Sequence, residues 1–367
     1  MTINGTTIPP GSRSTLELPI PHLYTHTEMS LVVHAIRGRR DGPTLFVSAA
    51  MHGDELLGIE IVRRLVRHRA LARLRGTLLA VPIVNPYGVL DQSRYLPDRR
   101  DLNRSFPGSD KGSLAARLAN LLMTEIVSKA THGIDLHTGA QHRCNLPQIR
   151  ADLKDPQNLE LARAFNVPVV LDSNIRDGSL RAVVSEKGLP MLVYEAGEAL
   201  RYDEMSIRVG VQGVLGVMRK LEMLPPPRRE KKLREPFVAK SSRWVRAPVG
   251  GVLLDAKPLG SEVAEGEKLA VVADPYGESE EKIVAEFPGI VIGCTYLPLV
   301  HEGDAVLHVA RFSDAGQVAE LPHQCHSVQI SLAGYLNVLQ EECQLIQAQR
   351  LGAVDQGLFR RRVKIHQ

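Results

Sequence analysis

SAAMHGDELLGIE, residues Ser48–Glu60, decides the fold of this chain. The apolar segment Thr44–Ala50 leads into this stretch, and apolar residues at helical spacing run from Gly58 to Leu74. We therefore predict a buried strand that ends just before His52 and continues, through a short polar turn, into an amphipathic helix. In open α/β sheets functional residues gather beyond the carboxyl ends of the strands, so this turn is the first candidate for chemistry.

Strand and helix patterns alternate over the region around this stretch. From about Ser30 to Leu224, apolar strand patterns are separated by segments with helical spacing, including a helix that starts at Ser113 as its N-cap. The predicted strands are SLVVHAIRG, GPTLFVSAA, GTLLAVPIVN, GIDLHTG, VPVVLD and LPMLVYEAGE. This alternation predicts an α/β fold whose mixed, mostly parallel sheet is covered by helices on both faces.

The composition changes after Leu224. A proline-rich, charged segment follows, which is typical of a linker. The helical periodicity then disappears, and two similar halves predict a smaller C-terminal all-β domain that resembles a biotinyl/lipoyl-type barrel. The signature of a working carrier lysine is missing around Lys282, so a lid, a dimer contact or a rim of the active site is the expected role. The predicted division is a catalytic domain at residues 1–224, a linker at 225–236, the β-domain at 237–320 and a partly helical tail at 321–367.

The bulk composition excludes several classes of protein. The 367 residues carry 45 Lys and Arg against 41 Asp and Glu, and the charge of +4 is not gathered in one basic block, so nucleic-acid binding is not indicated. No apolar run approaches the ~18 residues of a membrane span, and the first residues lack a signal-peptide pattern. Four cysteines without a CxxC pair predict reduced thiols in a cytoplasmic protein.

Three of the predicted strands end in a histidine or a carboxylate. His52 and Glu55 follow the first, His137 ends GIDLHTG, and Glu195 ends LPMLVYEAGE. Two histidines and one carboxylate are the ligand set of a catalytic zinc site whose fourth position is left for water. Each pattern alone is common in structural turns and strand ends. Their coincidence at one edge of a sheet predicts that His52, Glu55 and His137 bind one zinc ion.

The segment Asn85–Gly108 is long for a loop and rich in arginine. Long loops in compact domains are usually functional, and the planar guanidinium group binds carboxylates through two hydrogen bonds. A solvated charged face is the alternative explanation. Arg104, however, is followed by Ser-Phe-Pro-Gly, a rigid and partly apolar turn that is unusual on a surface. We therefore expect this segment to contact an anionic substrate.

Four motifs occur in a characteristic order: HGDE, DLNRSFPG, DLHTG and YEAGE, which begin at His52, Asp101, Asp135 and Tyr194. In this order they resemble the zinc carboxypeptidase superfamily and, within it, the succinylglutamate desuccinylase/aspartoacylase family. The resemblance covers roughly residues 30–224. Members of the family with a C-terminal β extension also match the organisation of the later residues.

The resemblance implies a role for the residues of these motifs. The matching positions are zinc ligands at His52, Glu55 and His137, a carboxylate at Asp101 that orients the first histidine, a pair at Asn103 and Arg104 that holds a substrate carboxylate, an oxyanion-stabilising arginine at Arg94 and a general acid/base at Glu195. The gap after Arg94 is slightly longer than in aspartoacylases, which leaves Arg99 or Arg100 as alternatives. Arg150 and Arg181 are candidates for a second anionic group, with solvated surface positions as the alternative.

These roles imply a zinc-dependent amidohydrolase that removes a short acyl group from an N-acyl amino acid or a related amine. Glu195 takes the proton of the zinc-activated water and passes it to the leaving amine, while Arg94 faces the oxyanion. The implied cofactor is one Zn²⁺ per chain, the implied partner is a small carboxylate-bearing molecule, and a homo-oligomer fits the family. The alternatives are a zinc carboxypeptidase that acts on peptide C-termini and a catalytically silent protein that binds acyl amino acids.

Overall fold

The turn that carries His52 joins a strand to a helix, as predicted. The structure is a computed structural model that describes residues 1–173, 176–227 and 235–311. In it, Arg40–Ala49 is a strand that becomes buried from Thr44 onward, and Leu57–Val66 is the helix that follows the turn. The predicted tail at 321–367 and the middle of the predicted linker lie outside the described residues.

The described residues form nineteen strands and six α-helices. The strands are β1 Thr2–Ile3, β2 Thr6–Thr7, β3 Arg13–Ile20, β4 Met29–Arg37, β5 Arg40–Ala49, β6 Arg75–Val81, β7 His132–Gly139, β8 Arg143–Ala151, β9 Val169–Asp172, β10 Met191–Glu198, β11 Phe237–Ala239, β12 Ser241–Arg246, β13 Gly251–Leu254, β14 Glu262–Val263, β15 Lys268–Ala273, β16 Glu280–Val284, β17 Gly289–Thr295, β18 Leu299–Val300 and β19 Ala305–Arg311. The helices are α1 Leu57–Val66, α2 Pro86–Asp91, α3 Leu114–Glu125, α4 Pro156–Phe165, α5 Leu180–Glu186 and α6 Glu204–Lys220.

One large mixed sheet carries the predicted site. Strands β6, β5, β7 and β10 are parallel neighbours in that order, and the antiparallel strands β4 and β3 extend the sheet beyond β6. On the other side, β8 runs antiparallel to β10 and pairs with both β9 and β17. The predicted α/β class with a mixed sheet and additional C-terminal β-strands is confirmed.

Two groups of helices pack around the strands. Helix α6 contacts both α1 and α4, and α1 also contacts β5 and β7. Helices α3 and α5 belong to a separate apolar cluster with residues of β3, β4, β5 and β6. Phe46 of β5 and Leu79 of β6 are part of this cluster. Ser113 caps α3 as predicted, because its side chain accepts a hydrogen bond from the Ala116 N–H. These layers fix the carboxyl ends of β5, β7 and β10 at one edge.

One sequence prediction needs correction, and one strand was missed. The helix predicted over Gly58–Leu74 ends as α1 at Val66, and a 3₁₀ turn, Arg69–Arg73, follows. The break occurs at His68, whose backbone is extended. The side chain of His68 caps the 3₁₀ turn by accepting a hydrogen bond from the Ala70 N–H. Strand β8 was not predicted, although it lies in the centre of the sheet.

The C-terminal strands continue the main sheet. Strand β17 pairs antiparallel with the first half of β8, and β19 and β12 follow it. A smaller four-stranded sheet, in the order β16-β15-β13-β18, belongs to the same part of the chain, which has its own apolar cluster. The division into domains at residues 225–236 stays a prediction. None of the described helices has the length and apolar character needed to cross a membrane.

Candidate metal centre and active site

The turn after β5 is held against α2 by a close backbone contact. Gly53 donates its N–H to the Ser93 carbonyl, and a Cβ atom at Gly53 would lie 1.8 Å from the carbonyl carbon of Gly88. A residue with a side chain therefore does not fit at this position. The tight approach places His52 and Glu55 together at the end of β5, where both side chains are buried.

The two histidines and the glutamate converge on one point. Glu55 Oε1 lies 2.7 Å from His52 Nδ1, and Glu55 Oε2 lies 2.7 Å from His137 Nδ1. One ligand atom from each residue lies within 4.8 Å of the others, and all three residues are buried. The structure thus brings together the three side chains that the sequence predicted as metal ligands.

Carboxylates hold the far side of each imidazole ring. Asp101 Oδ1 lies 3.2 Å from His52 Nε2, and Asp135 Oδ2 lies 2.7 Å from His137 Nε2. Ser48 donates to the other oxygen of Asp135 at 2.7 Å. Such carboxylates orient the ring and set the tautomer of a ligating histidine. Both rings therefore present Nδ1 to the centre.

Sequence reasoning assigned Asp101 to this position but missed Asp135. A signal was present, because residues two apart on a strand share a face, and Asp135 precedes His137 by two. Ser48 is the register partner of Asp135 on β5, which explains their contact. The Asp-x-His spacing in DLHTG was the clue.

The charges of the centre shift the pKa values of its members. Burial lowers the pKa of His52, but Glu55 and the hydrogen bond to Asp101 outweigh burial and leave the pKa above its ordinary value. The pKa of His137 is raised for the same kind of reason, by Asp135 and Glu55 acting against burial. Burial raises the pKa of Glu55, yet the two imidazoles bring it well below its ordinary value. A carboxylate and two strongly polarised imidazoles thus share a buried space.

This donor set fits a zinc ion. Two imidazole nitrogens and a carboxylate, with carboxylates behind the imidazoles, are the donors that catalytic zinc sites use. Once the two imidazoles have lost their protons, the three carboxylates of Glu55, Asp101 and Asp135 outnumber the positive charges of the centre, which favours a divalent cation. His52, Glu55 and His137 could therefore hold the metal, and the carboxylates of Asp101 and Asp135 would keep the two imidazoles in place.

Arg94 lies at the centre, whereas its two alternatives do not. Its guanidinium group donates to Asp101 Oδ2 at 2.9 and 3.2 Å, and Nη1 lies 3.3 Å from His52 Nδ1. Arg99 and Arg100 are exposed, and Arg100 lies 3.8 Å from Asp98. By position, Arg94 is the arginine that can reach a group bound at His52.

Asn103 and Arg104 occupy the rim of this region. Asn103 Oδ1 accepts a hydrogen bond from the Leu180 N–H at 2.9 Å, which ties the loop to the start of α5. Arg104 is exposed, and its guanidinium donates to the Asn103 carbonyl. The structure places the pair next to each other at α5, and its role in holding a substrate carboxylate stays a prediction.

Glu195 lies beside the centre through the register of the sheet. Strands β10 and β7 are parallel neighbours, and Glu195 pairs with His137. Glu195 Oε2 accepts a hydrogen bond from Asn145 Nδ2 at 2.9 Å, and Oε1 lies 3.7 Å from Arg150 Nη1. Its side chain retains 15% of its exposure, so water and small molecules can reach it. Asn145 was missed by the sequence analysis.

A profile of the succinylglutamate desuccinylase/aspartoacylase catalytic domain matches residues 41–221. The chain belongs to the succinylglutamate desuccinylase/aspartoacylase family. The match spans all four motifs, from HGDE to YEAGE, and so confirms the resemblance that the motifs suggested. It stops close to the start of the predicted linker.

Named relatives of this family are similar over different shares of the chain. An N-alpha-acetyl-L-2,4-diaminobutyric acid deacetylase from Halomonas elongata is 24% identical over 80% of this chain and 90% of its own length. A succinylglutamate desuccinylase from Pseudomonas aeruginosa is 26% identical over 48% of this chain and 53% of its own length. The similarity to the deacetylase therefore extends into the C-terminal strands.

Solved structures of the family share the fold. The product-bound ectoine utilization protein EutE (DoeB) from Ruegeria pomeroyi has a TM-score of 0.74 at 24% identity, covering 84% of this chain and 98% of that chain. A succinylglutamate desuccinylase/aspartoacylase from Rhodobacter sphaeroides has a TM-score of 0.72 at 23% identity, covering 82% and 96%. At these identities the likeness concerns the fold.

Proposed function

We propose that this protein is a zinc-dependent amidohydrolase that removes a short acyl group from an N-acyl amino acid or a related amine. The observation that carries the proposal is the convergence of His52, Glu55 and His137, with Glu195 in register beside His137. The relatives named as a deacetylase and a desuccinylase support an acyl-amino-acid deacylase, which is a hydrolase of carbon–nitrogen bonds.

His52, Glu55 and His137 would hold the metal. When bound, a zinc ion lowers the pKa of its water to about 7 and polarises a carbonyl oxygen. The protein keeps the donors ready for it: Asp101 and Asp135 accept from the outer nitrogens of the two rings, so that both Nδ1 atoms face Glu55. The residues therefore supply a preorganised, buried set of ligands.

Three observations support Glu195 as the group that moves the proton. It is the register partner of His137, it is partly open to solvent, and its carboxylate is held by Asn145. We propose that Glu195 removes the proton of the attacking water and delivers it to the nitrogen of the leaving amine. A carboxylate beside the centre can serve in both directions because the same oxygen accepts the proton and then returns it.

Arg94 and the Asn103–Arg104 pair supply the remaining contacts. The Arg94 guanidinium lies 3.3 Å from His52 Nδ1 and so brings a fixed positive charge to the place where an oxyanion would form. The exposed Arg104 guanidinium, anchored beside α5, is available for a carboxylate on the substrate. We propose that this pair selects amino-acid derivatives over neutral amides.

The name of the relative with the more extensive match suggests which acyl group to test first. The deacetylase from Halomonas elongata, which matches this chain over 90% of its own length, acts, by its name, on an N-acetylated diamino acid. We therefore propose N-acetyl amino acids as the first group to test, with N-succinyl and N-formyl amino acids beside them. Short peptides in the same assay test the carboxypeptidase alternative, and their hydrolysis would favour it.

The proposal is tested with the purified protein and its metal content. We expect about one zinc per chain, loss of hydrolysis after chelation and recovery when zinc is added back. A protein with far less than one zinc per chain and no hydrolysis of any of these substrates would instead be a binding protein on this scaffold, and the proposal would be wrong.

Replacing the proposed base gives a sharper test. Glu195→Gln should keep the zinc content of the wild type and lower kcat by about 10²- to 10⁴-fold, because the amide cannot accept the proton. Zinc analysis and steady-state kinetics on the same preparation measure both quantities. Full activity in this variant would contradict the assignment of Glu195 as the base.

A further inference from the structure

Asn145 occupies an unusual place between two strands. It is buried, with 6% of its surface exposed, and it lies near the start of β8. On one side its register partner is Gly197 of β10, and on the other side its register partner is Gly293 of β17. The side chain of Asn145 therefore has a glycine opposite it on both neighbouring strands.

The glycine on β10 lets the amide reach the base. A bulge separates Glu195 from Gly197, where the register of β10 against β8 shifts, and Gly197 has a φ of 70° that residues with side chains rarely adopt. No Cβ stands between Asn145 and the strand opposite. Its Nδ2 donates to Glu195 Oε2 at 2.9 Å. The other oxygen of Glu195 faces Arg150, also on β8, at 3.7 Å.

The glycine on β17 lets the C-terminal strands close on the same asparagine. A Cβ built at Gly293 would lie 3.2 Å from Asn145 Oδ1 and 3.0 Å from the Cβ of His308. The backbone of β17 thus packs tightly against the amide that holds Glu195. A second contact supports the same junction, since Gln148 of β8 donates to the Ile292 carbonyl at 3.3 Å.

Aromatic packing backs this junction. Trp244 of β12 and His308 of β19 stack with their ring centres 4.7 Å apart, and His308 Nε2 hydrogen-bonds Ser242 at 2.9 Å. The guanidinium of Arg143, the first residue of β8, lies over the Trp244 ring at 5.0 Å. The first half of β8 is therefore held between β10 and a packed layer of C-terminal residues.

We propose that Asn145 is a positioning residue for Glu195. The C-terminal strands contribute to the reaction because one of them, β17, packs against Asn145 and keeps its side chain in place. The inference rests on the proposed function, since it gives Glu195 the role of base. It assigns these strands a part in the reaction that does not depend on covering the entrance to the site.

The first test removes the amide. Asn145→Ala should lower kcat by about 10- to 100-fold, with KM within about twofold, because the hydrogen bond from Asn145 orients a charged base and does not touch the substrate. The zinc content should stay at the wild-type value. Asn145→Asp fills the same space but cannot donate when ionised, so it should lose at least as much activity at pH 8. Wild-type kcat in Asn145→Asp would show that Asn145 only packs, and the proposal would be overturned.

The second test reaches Asn145 from β17. Gly293→Ala introduces a methyl group that must displace Asn145 or His308 by a few tenths of an ångström, so we expect kcat to fall by about 3- to 10-fold. The matched control is Gly250→Ala, in the same part of the chain, where the nearest atom to a new Cβ is 3.6 Å away. Equal kcat values for Gly293→Ala, Gly250→Ala and the wild type would contradict the role of β17.

A readout apart from activity separates this inference from the proposed function. In protein labelled with ¹⁵N-asparagine, the side-chain NH₂ pair that disappears in Asn145→Ala should be the pair that shifts in Glu195→Gln. A pair that does not respond to Glu195→Gln would overturn the positioning role. If the wild type hydrolyses none of the substrates but the NH₂ pair shifts, the proposed function fails while the contact between Asn145 and Glu195 stands.

Discussion

At the residue scale, each proposed histidine ligand is set between two carboxylates. His52 lies between Glu55 and Asp101, and His137 lies between Glu55 and Asp135. In each ring one nitrogen faces the centre and the other faces an outer carboxylate. The same arrangement that orients the rings also makes them hold protons more strongly, so metal binding and protonation compete for His52 and His137.

The competition predicts a pH dependence of zinc binding. The pKa values of His52 and His137 are raised in the metal-free protein, so both rings must lose protons before Nδ1 can bind zinc. The zinc association constant should therefore rise with pH, by up to about 100-fold per pH unit while both rings are protonated. Competition with a chromogenic chelator between pH 5.5 and 8 measures the constant, and calorimetry in two buffers counts the released protons. An association constant that does not change over this range would contradict the prediction.

The proposed role of Arg94 at the oxyanion can be tested by comparing it with a second arginine of the same loop, Arg99. Arg94→Ala should lower kcat/KM by about 10²- to 10³-fold, because it removes the positive charge nearest to the site of an oxyanion. Arg99→Ala, at an exposed position of the same loop, should stay within about twofold of the wild type. Steady-state kinetics of the zinc-loaded variants decides between them. A large loss in Arg99→Ala with little effect in Arg94→Ala would reassign the role.

At the element scale, the site depends on where strands end and on how closely the following turns pack. Strand β5 ends in a turn that contacts α2 backbone to backbone, and helix α1 then contacts β5 and β7. This leaves little freedom for the position of His52 and Glu55. The geometry of the two proposed ligands is thus a property of the turn and the helices that hold it.

Gly53→Ala should therefore disturb both stability and metal binding. The new methyl group would lie 1.8 Å from the Gly88 carbonyl carbon, so the backbone has to move. We expect the free energy of unfolding to fall by about 2–4 kcal/mol and zinc affinity to drop with it. Denaturant unfolding and a zinc titration check the two effects, with Gly250→Ala as the control. A variant as stable as Gly250→Ala would show that the turn can move without loss.

The sequence predicted the elements whose patterns are strong and local. Apolar runs ending in His52, His137 and Glu195 identified β5, β7 and β10, because buried parallel strands have continuous apolar character. Strand β8 escaped prediction because RCNLPQIRA mixes polar residues with Pro147, which usually argues against a central strand.

Contacts across the sheet were beyond the reach of the sequence. The hydrogen bond between Asn145 and Glu195 depends on the register of β8 against β10 and on a bulge, and neither is encoded in a local pattern. The contact of Asp135 with His137 was closer to prediction, since both lie on one face of β7. The motifs supplied the candidate ligands, while the residues that hold them in place required the structure.

At the scale of the whole molecule, a buried histidine in the C-terminal strands makes the stability of the folded state depend on pH. His308 is stacked on Trp244, and burial, together with the charge of Arg150, lowers its pKa to about 3. The ordinary value of 6.5 applies in the unfolded chain. Between these two values the unfolded chain binds more protons than the folded one, so the stability of the folded state falls as the pH decreases from 6.5.

His308→Gln should make stability less sensitive to mild acid. For a single group, the loss between neutral pH and pH 5 is about 2 kcal/mol, and the variant should lack that part of the loss. Urea unfolding of zinc-loaded wild type and variant at pH 7.5 and 5 gives the two differences. The comparison isolates His308, since the carboxylates and the other histidines are common to both proteins. Equal pH dependence in the two proteins would mean that His308 titrates normally in the fold.

The pairing of β17 with β8 also limits how this enzyme can be shortened. A chain cut at the proline-rich segment would keep every motif that marks the family, yet Arg143–Asn145 would lose its neighbour and leave bare amide and carbonyl groups along one margin of the sheet. Exposed margins of this kind recruit other chains and cause aggregation. Any minimal version of the protein has to retain, or replace, the strand that closes that margin.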